Sequence, residues 1–368
     1  MKILHITPSY YPATKFGGPI FSMKIINQYL SINNYIEVIT SQAGIKKEIN
    51  TCFVDKIKVK YLPYYFNENF TFSPKLITYL IKNIHKFDLI QINSIWNFHF
   101  LIGTIFCILF NKPYVLFPKG SLDKNAVYAN NKTIKLLYLK LIIKLINKSA
   151  SIIYSSRLEK NDSVDGIDNK NCEVIANPIE KPKKTTKIKR QKIILYLGRI
   201  AKNKGVAELI NQFIQTKLEY QLIIAGEIED VKYYQKIKEL SKGDKRIKLL
   251  NNQNTNKKSK LISQSFCTIL SSIVNENFGN SIAESLVLET PVIVSSKAGI
   301  SEYVKKYNCG VTINPEKYSL VQAVEFIEKN YTKYQINGKR LVIEKFDAKI
   351  VVQKINKLYA KIIKQHYD

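Results

Sequence analysis

The sequence predicts an α/β protein of two domains, each built on a parallel sheet that helices cover on both faces. At 368 residues the chain is about twice the length of a typical domain, and 45% of its residues are hydrophobic, enough for two cores. Strand-like apolar runs alternate with helix-length segments along the whole chain. Residues 180–192 are polar, basic and proline-bearing without an apolar face, which is typical of a linker.

Ten apolar runs of strand length define the two halves. They are KILHIT, IEVIT, DLIQIN, YVLF and SIIYSS before the linker, and KIILYLG, YQLIIAG, RIKLL, CTILSS and PVIVSS after it. The longest apolar stretch, residues 98–110, has 13 residues, too few to span a bilayer, and we expect it to form a buried helix. Residues 346–368 carry apolar side chains at near-helical spacing with lysines between them, which predicts a closing amphipathic helix.

Cysteine and histidine usage argues against a disulfide framework and against a metal centre. The five cysteines are odd in number, widely scattered and in no CxxC pair, so we expect buried thiols. The four histidines lie in segments that favour structural or exposed roles, and no Asp-x-Asp pair occurs, so no metal site is expected. The N-terminus starts with a short strand-like run in place of the apolar segment of a signal peptide, which favours a cytoplasmic protein.

The segment ENFGNSIAE, from Glu276 to Glu284, carries the strongest functional signal. An apolar run precedes it and helical spacing follows it, so it is a loop that opens a helix. Backbone N–H groups and the positive end of the helix dipole favour a phosphate there, at Phe278, Gly279, Asn280 and Ser281. Glu284 shares the face of Asn280 and can accept from ribose hydroxyls, and Glu276 can accept from sugar hydroxyls. Taken alone, Glu276 and Ser281 would be interpreted as caps of a surface helix, and the rest of the chain favours the ligand-binding interpretation.

Two cations in the segment YLGRIAKNKGVAELI suit the same ligand. A strand ends at Gly198, Arg199 follows it, and Lys204 precedes an apolar-periodic helix. Arg199 can bind a diphosphate as a bidentate fork and Lys204 as a point charge. Cations near a strand end are usually solvated, so this pair alone is weak evidence for a ligand site. It indicates a diphosphate site only in combination with the ENFGNSIAE segment.

Together the two segments resemble the C-terminal domain of glycosyltransferase family 4, whose signature is a pair of glutamates separated by seven residues. The resemblance covers essentially the whole chain. It implies the GT-B fold, in which two Rossmann-like domains face each other across a cleft and a C-terminal helix crosses back to the N-terminal domain. It also implies an acceptor-binding domain over residues 1–180, a nucleotide-sugar donor domain over 181–345, and the returning helix over 346–368.

Three segments of the first half are similar to family motifs. SYYPATKFGGPI resembles the glycine loop that approaches the donor phosphates, with Gly17 and Gly18 as the matching residues. DLIQINSIWNFH resembles a segment in which Asn93 and Trp96 would bind the acceptor, and Asn93 stands where many relatives have histidine. YVLFPKGSLDKNA places Lys119 where histidine or arginine is usual.

The resemblance implies catalysis by charge, with Glu276, Lys119, Arg199 and Lys204 as the catalytic residues. Lys119 can supply positive charge but cannot act as a neutral base near pH 7. The family retains the anomeric configuration, and a front-face attack in which the leaving phosphate takes the acceptor proton needs no protein base. In the alternative interpretation, Lys119 only caps a loop.

The formal net charge of +28 favours polyanionic partners, but no nucleic-acid-binding signature is present and the lysines are spread over the chain. Residues 131–149 place Lys140, Lys144 and Lys148 on one stripe amid aliphatic residues. This pattern fits a helix resting on an anionic membrane surface, and it fits equally a buried helix whose lysines reach the solvent.

The resemblance therefore implies a retaining, metal-independent, hexosyltransferase-type enzyme. Its donor would be a nucleotide diphosphate sugar, with no further cofactor, and its acceptor a glycan or lipid-linked glycan in bacterial O-antigen, capsule or exopolysaccharide synthesis. Such an enzyme would lie in the cytoplasm, peripheral on the inner face of the plasma membrane. Two alternatives are a GT-B-like sugar-nucleotide epimerase, which would need an acid/base pair, and a non-catalytic basic binding protein on a degenerate transferase scaffold.

Overall fold

The computed structural model describes residues 1–45, 48–128, 133–181, 188–251, 253 and 255–368, without the side chains of 126, 133–137 and 169. Contacts divide it into two compact units. One is formed by Met1–Pro178 with Ala348–Asp368, and the other by Ile179–Asp347. Each unit is a sheet with helices on both faces, so the predicted α/β class is confirmed.

The first unit is built on an eight-stranded sheet. Its strands are β1 (Lys2–Ile6), β2 (Tyr35–Ser41), β3 (Thr51–Val54), β4 (Ile57–Leu62), β5 (Leu89–Asn93), β6 (Tyr114–Phe117), β7 (Ser151–Tyr154) and β8 (Cys172–Val174). They lie in the order β3-β4-β2-β1-β5-β6-β7-β8, and the described neighbours are parallel except β3 with β4. The central strands are buried along nearly their whole length, as parallel strands with helices on both faces must be.

Seven helices of the described residues pack on this sheet. They are α1 (Gly18–Leu30), α2 (Pro74–Asn83), α3 (Phe98–Leu109), α4 (Lys124–Tyr128), α5 (Thr133–Asn147), α6 (Arg157–Asn161) and the C-terminal α13 (Ala348–Tyr367). Val351, Ile355 and Tyr359 of α13 are buried in the core of this unit, and the Tyr359 hydroxyl donates to Gln91 Oε1 at 2.7 Å. The predicted closing helix thus packs on the first unit.

The second unit is a six-stranded sheet of Rossmann type. Its strands are β9 (Ile193–Leu197), β10 (Gln221–Ala225), β11 (Ile247–Leu250), β12 (Cys267–Leu270), β13 (Val292–Ser295) and β14 (Gly310–Ile313), and its helices are α7 (Val206–Ile214), α8 (Val231–Ser241), α9 (Thr255–Gln264), α10 (Asn280–Val287), α11 (Ser301–Tyr307) and α12 (Leu320–Leu341). The strand order β11-β10-β9-β12-β13-β14 reverses its direction between β9 and β12. Open α/β sheets bind ligands at the carboxyl ends of the strands beside such a reversal.

All ten predicted strands form, but the described sheets contain four more, β3, β4, β8 and β14. β3 and β4 form an antiparallel hairpin at one edge of the sheet. Side chains of β4 alternate between buried and less buried positions, and lysines occupy the less buried ones, so the strand has no continuous apolar run. The run at residues 98–110 was predicted to be buried, and this is only partly correct. Its helix α3 buries one face, whereas Leu109 is 70% exposed because the outer side of the helix layer faces solvent.

Helix α5 settles part of the ambiguity at residues 131–149, of which 131 and 132 lie outside the described residues. Leu139, Ile142, Leu145 and Ile146 are buried in the core of the first unit. The three lysines of the predicted stripe are exposed. These four aliphatic side chains therefore pack in the protein core, whereas Leu141 is 46% exposed. No helix within the described ranges combines the length and the apolar character needed to cross a bilayer.

Candidate functional site

The carboxyl ends of β9 and β12 are joined by contacts between the loops that follow them. Ser271 Oγ, after β12, donates to the carbonyl oxygen of Lys204 at 3.0 Å, and Ile273 N donates to Asn203 O at 3.2 Å. Gly205 lies between them at φ +67°, where a Cβ atom would come 2.3 Å from the carbonyl oxygen of Ser271. Only glycine lets the two loops approach this closely.

An ion pair connects the side chains of the two loops. Lys204 Nζ lies 2.9 Å from Glu276 Oε2, and Ser272 Oγ donates to the same oxygen at 2.8 Å. The lysine and glutamate side chains are only 13% and 20% exposed. Burial by itself would raise the pKa of Glu276, but the charge and hydrogen bond of Lys204, the hydrogen bond of Ser272 and the charge of Arg199 hold that pKa below its usual value. Glu276 is therefore ionised at neutral pH.

The backbone around Glu276 is held by the loop after β13. Glu276 N donates to Lys297 O at 2.8 Å, and Gly299 N donates to Glu276 O at the same distance. Ile300 N donates to Phe278 O, also at 2.8 Å. These hydrogen bonds hold the backbone at Glu276 and thereby restrict the position of its side chain.

The ENFGNSIAE segment opens helix α10, as its sequence predicts. Gly279 occupies the N-cap position at φ +109° and has no side chain to cap the helix, which begins at Asn280 and continues through Ser281. Phe278 is 1% exposed and its ring stands edge-on to that of Phe346, with centroids 5.2 Å apart. The Phe278 side chain is thus part of the core, and only its backbone can reach a ligand.

Glu284 and Arg199 each have a partner that the sequence analysis did not identify. Lys258 Nζ, on α9, lies 2.7 Å from the Glu284 carboxylate. Arg199, the residue after Gly198 at the end of β9, is 46% exposed and forms an ion pair with Glu229. The sequence carries no signal for either partner. Lys258 is one of several lysines in α9, and their spacing does not distinguish it from the others. Glu229 lies just before α8 and belongs to no motif.

The structure thus brings Arg199, Lys204 and Glu276 into one charged cluster. Glu284 lies further along α10, beside Lys258. The remaining predicted site residues are located in the first unit, at the carboxyl ends of its strands.

In the first unit, Gly17 and Gly18 lie at the start of α1. Gly17 is the N-cap residue at φ +74°, and a Cβ atom there would meet nothing within 4 Å. Trp96 follows β5, and its indole N–H donates to Ser121 O at 2.6 Å while its ring packs 5.9 Å from that of Tyr138. Its described contacts are therefore those of a packed side chain.

Asn93 ends β5 and is 5% exposed, and its Oδ1 atom has no partner of ordinary hydrogen-bond geometry. Its side chain lies beside His5, and a weak hydrogen-bonding interaction between the two opposes the desolvation that lowers the pKa of His5 to about 3. Lys119 follows β6 in a left-handed conformation at φ +53°. Its Nζ donates to Asn177 Oδ1 at 2.7 Å and lies 5.3 Å from the ring centre of Phe117.

Burial lowers the pKa of Lys119 to about 8, although the charge of Glu159 opposes this shift. The ammonium form still predominates at pH 7. In the residues that the structure describes, no group of three His, Cys, Asp or Glu side chains is placed to hold a metal ion.

Comparison with known proteins places this geometry in context. Residues 33–181 match the protein-family model of Glycosyltransferase Family 4, and residues 178–360 match that of glycosyl transferases group 1. No curated protein sequence matches the chain significantly.

Solved structures similar to this chain include Anabaena Alr3699/HepE in complex with UDP and glucose, at 17% identity and TM-score 0.78 over 98% of this chain and 100% of that one. Sucrose-phosphate synthase from Thermosynechococcus elongatus is 17% identical with TM-score 0.75 over 99% and 100%. The catalytic domain of starch synthase IV from Arabidopsis thaliana, bound to ADP and acarbose, is 13% identical with TM-score 0.75 over 99% of both chains. These likenesses establish the GT-B fold.

Replacing Gly205 by alanine should destabilise the protein by about 3 kcal/mol or more, since the new Cβ overlaps a backbone carbonyl at a positive φ. Urea denaturation, followed at the unfolding transition of the second unit, measures this loss of stability. Gly243→Ala is the matched control, because a Cβ there meets nothing within 4 Å. Equal stability of the two variants would contradict the close approach of the loops.

The pKa of Lys119 predicts a pH-dependent stability difference between wild type and Lys119→Met. The folded-state pKa of about 8 lies below the unfolded value of 10.5, so the folded state carries the full cost of the charge below pH 8. That cost, about 3 kcal/mol, is relieved as the pH rises from 8 to 10.5. The methionine variant should therefore be the more stable protein at pH 7, with an advantage that shrinks by pH 10. A constant difference across this range would be inconsistent with the burial of the charge.

Proposed function

The chain is a glycosyltransferase of the GT-B type, with a Glycosyltransferase Family 4 domain followed by a glycosyl transferases group 1 domain, and we propose that it transfers a sugar from a nucleotide diphosphate sugar to a hydroxyl with retention of configuration. The observation that carries the proposal is the cluster of Arg199, Lys204 and Glu276 beside the start of α10. Two cations and a helix N-terminus suit a diphosphate, and an ionised carboxylate suits sugar hydroxyls.

In the proposed reaction, the acceptor oxygen forms a bond to the anomeric carbon on the face from which the phosphate oxygen departs. The bond between the anomeric carbon and that oxygen breaks, and the leaving diphosphate takes the acceptor proton. Arg199 and Lys204 stabilise the charge that develops on the diphosphate, so the proposed step uses no metal ion. Glu276 is ionised at neutral pH and would therefore accept hydrogen bonds from the sugar.

The remaining donor contacts are proposed from position. The backbone of the loop from Gly198, and that from Phe278 to Ser281, would approach the phosphates. Glu284 would accept from the ribose hydroxyls, with Lys258 fixing the orientation of its carboxylate. Gly17 and Gly18 of the glycine loop, and Lys119, are proposed as the donor contacts of the first unit.

The first unit is proposed to bind a glycan or lipid-linked glycan acceptor through the region of Asn93 and Trp96. A role in bacterial surface-polysaccharide synthesis, peripheral on the inner face of the plasma membrane, fits the net charge of +28 and the exposed lysines of α5. Because Leu139, Ile142, Leu145 and Ile146 of α5 are buried, electrostatic attraction would supply most of the membrane affinity.

A thermal-shift screen against uridine, guanosine, adenosine and cytidine diphosphate sugars tests the donor assignment. Alr3699/HepE was crystallised with UDP, so uridine donors come first. A ligand at about 100 times its Kd stabilises the fold by about 2.7 kcal/mol, which raises the Tm by several degrees. The absence of any shift with all four classes would count against a nucleotide-sugar site.

Arg199→Ala and Lys204→Ala should each reduce transfer by about 2 to 4 kcal/mol of transition-state stabilisation, because a diphosphate would lose a charge partner. The measurement is kcat/KM with the donor found in the screen. Lys202→Ala is the control, since Lys202 is exposed in the same turn as Lys204. Turnover within a few-fold of wild type in both test variants would remove the cluster from the reaction.

Changing Lys140, Lys144 and Lys148 together to glutamine should reduce sedimentation with anionic vesicles. Each lysine near such a surface contributes about 1 kcal/mol, and the attraction decays within a Debye length, so binding should be strong at low salt and weak at high salt. The control replaces three exposed lysines of α8, Lys232, Lys236 and Lys238, with the same loss of charge. Equal sedimentation of both triple variants would show that α5 has no special part in membrane binding.

A further inference from the structure

The ammonium group of Lys119 is largely buried and forms no ion pair. Its partners are the neutral amide oxygen of Asn177, at 2.7 Å, and the face of the Phe117 ring. Within the described part of the chain, no carboxylate lies at ion-pairing distance from it. Burying a charge without an ionic partner is costly, and a ligand of opposite charge would offset that cost.

Glu159 acts on Lys119 through its charge but is occupied with the loops around it. Its Oε1 accepts from Gly120 N at 2.6 Å, and its Oε2 accepts from Ser155 N at 2.7 Å and from Ser155 Oγ at 2.5 Å. These three donors hold the carboxylate in place. Glu159 therefore orders the loop that carries Lys119 and leaves the ammonium group available to an incoming anion.

The neighbours of Lys119 add hydrogen-bonding capacity without negative charge. The Asn27 amide donates to His5 Nδ1 at 2.7 Å, which leaves the hydrogen of the neutral imidazole on Nε2. Asn93 Oδ1 is a buried acceptor whose interaction with His5 falls short of ordinary hydrogen-bond geometry, so it can still accept from a ligand. A ligand that suits these surroundings carries an anionic group for Lys119 and a hydroxyl for Asn93.

We propose that Lys119 and Asn93 form a subsite for a sugar acid, in which the ammonium group pairs with the carboxylate and Asn93 Oδ1 accepts from a hydroxyl of the same sugar. The inference rests on the proposed function and names its substrate class, a uronic-acid unit on the donor or on the acceptor. A uronic acid supplies the anionic group and the hydroxyl within one sugar ring, whereas a phosphate group supplies only the first. The diphosphate, moreover, already has Arg199 and Lys204 as partners in the proposed function.

The test uses substrate pairs that differ only in a carboxylate in place of a hydroxymethyl group. UDP-glucose is compared with UDP-glucuronate and UDP-galactose with UDP-galacturonate as donors, and alkyl glucosides with alkyl glucuronosides as acceptors. Wild type should prefer the uronate of the relevant pair by at least about tenfold in kcat/KM, the effect of about 1.4 kcal/mol. The pair that shows the preference identifies whether donor or acceptor carries the carboxylate.

Lys119→Met should reduce this preference by about tenfold, and Lys119→Arg should retain most of it because the charge remains. Lys124→Met, five residues away at an exposed ion pair with Asp165, should leave the preference unchanged. Lys119→Met should also raise the Tm by a few degrees, since removal of the unpaired charge relieves its burial cost. A higher Tm shows that the variant is folded when its rates are compared.

Three outcomes are decisive against the inference. Equal losses for both members of each pair in Lys119→Met would show that Lys119 acts on a group common to all donors, such as the diphosphate. A wild-type enzyme without preference, or one that prefers neutral sugars, would also overturn it. In all three cases, turnover of neutral donors leaves the proposed glycosyl transfer intact. Failure to use any sugar nucleotide would instead overturn the proposed function itself.

Discussion

The ion pair between Lys204 and Glu276 is the interaction on which the second unit's site depends. It joins the loop after β9 to the loop after β12, at the point where the strand order reverses. Without the lysine, burial would favour the protonated form of Glu276. Without Gly205 the two loops could not approach closely enough for the pair to form. The close approach of the loops at Gly205 therefore helps to keep Glu276 ionised, because it lets Lys204 reach the carboxylate.

Lys204 and Lys119 are both largely removed from solvent, and they differ in how their positive charge is compensated. Lys204 has an ionic partner within the protein, so its charge is compensated before any ligand arrives. Lys119 has an amide and an aromatic ring, and burial lowers its pKa to about 8. A compensated charge gives a preformed site of lasting stability, whereas an uncompensated one stores free energy that a ligand of opposite charge can release.

Much of the fold was predictable because hydrophobic periodicity reports burial directly. The ten predicted strands are apolar along nearly their whole length, which is the pattern of parallel strands covered on both faces. β4 was missed because its lysines interrupt the apolar pattern at the edge hairpin, and β8 because three residues carry too little pattern. For the candidate site, motifs singled out Arg199 and Glu284, but their ionic partners, Glu229 and Lys258, belong to no motif and are brought to them only by the fold.

The assignment of α13 to the first unit has a consequence for how the chain is made. The second unit starts at Ile179 and ends at Asp347, and Ile179 N donates to Phe346 O at 2.8 Å, so its two ends are adjacent. It is an insertion within the first unit. During synthesis on the ribosome, the second unit is complete while the first still lacks Val351, Ile355 and Tyr359 of its core. The second unit can therefore fold as a whole before the first unit has received its last helix, although the first unit begins earlier in the sequence.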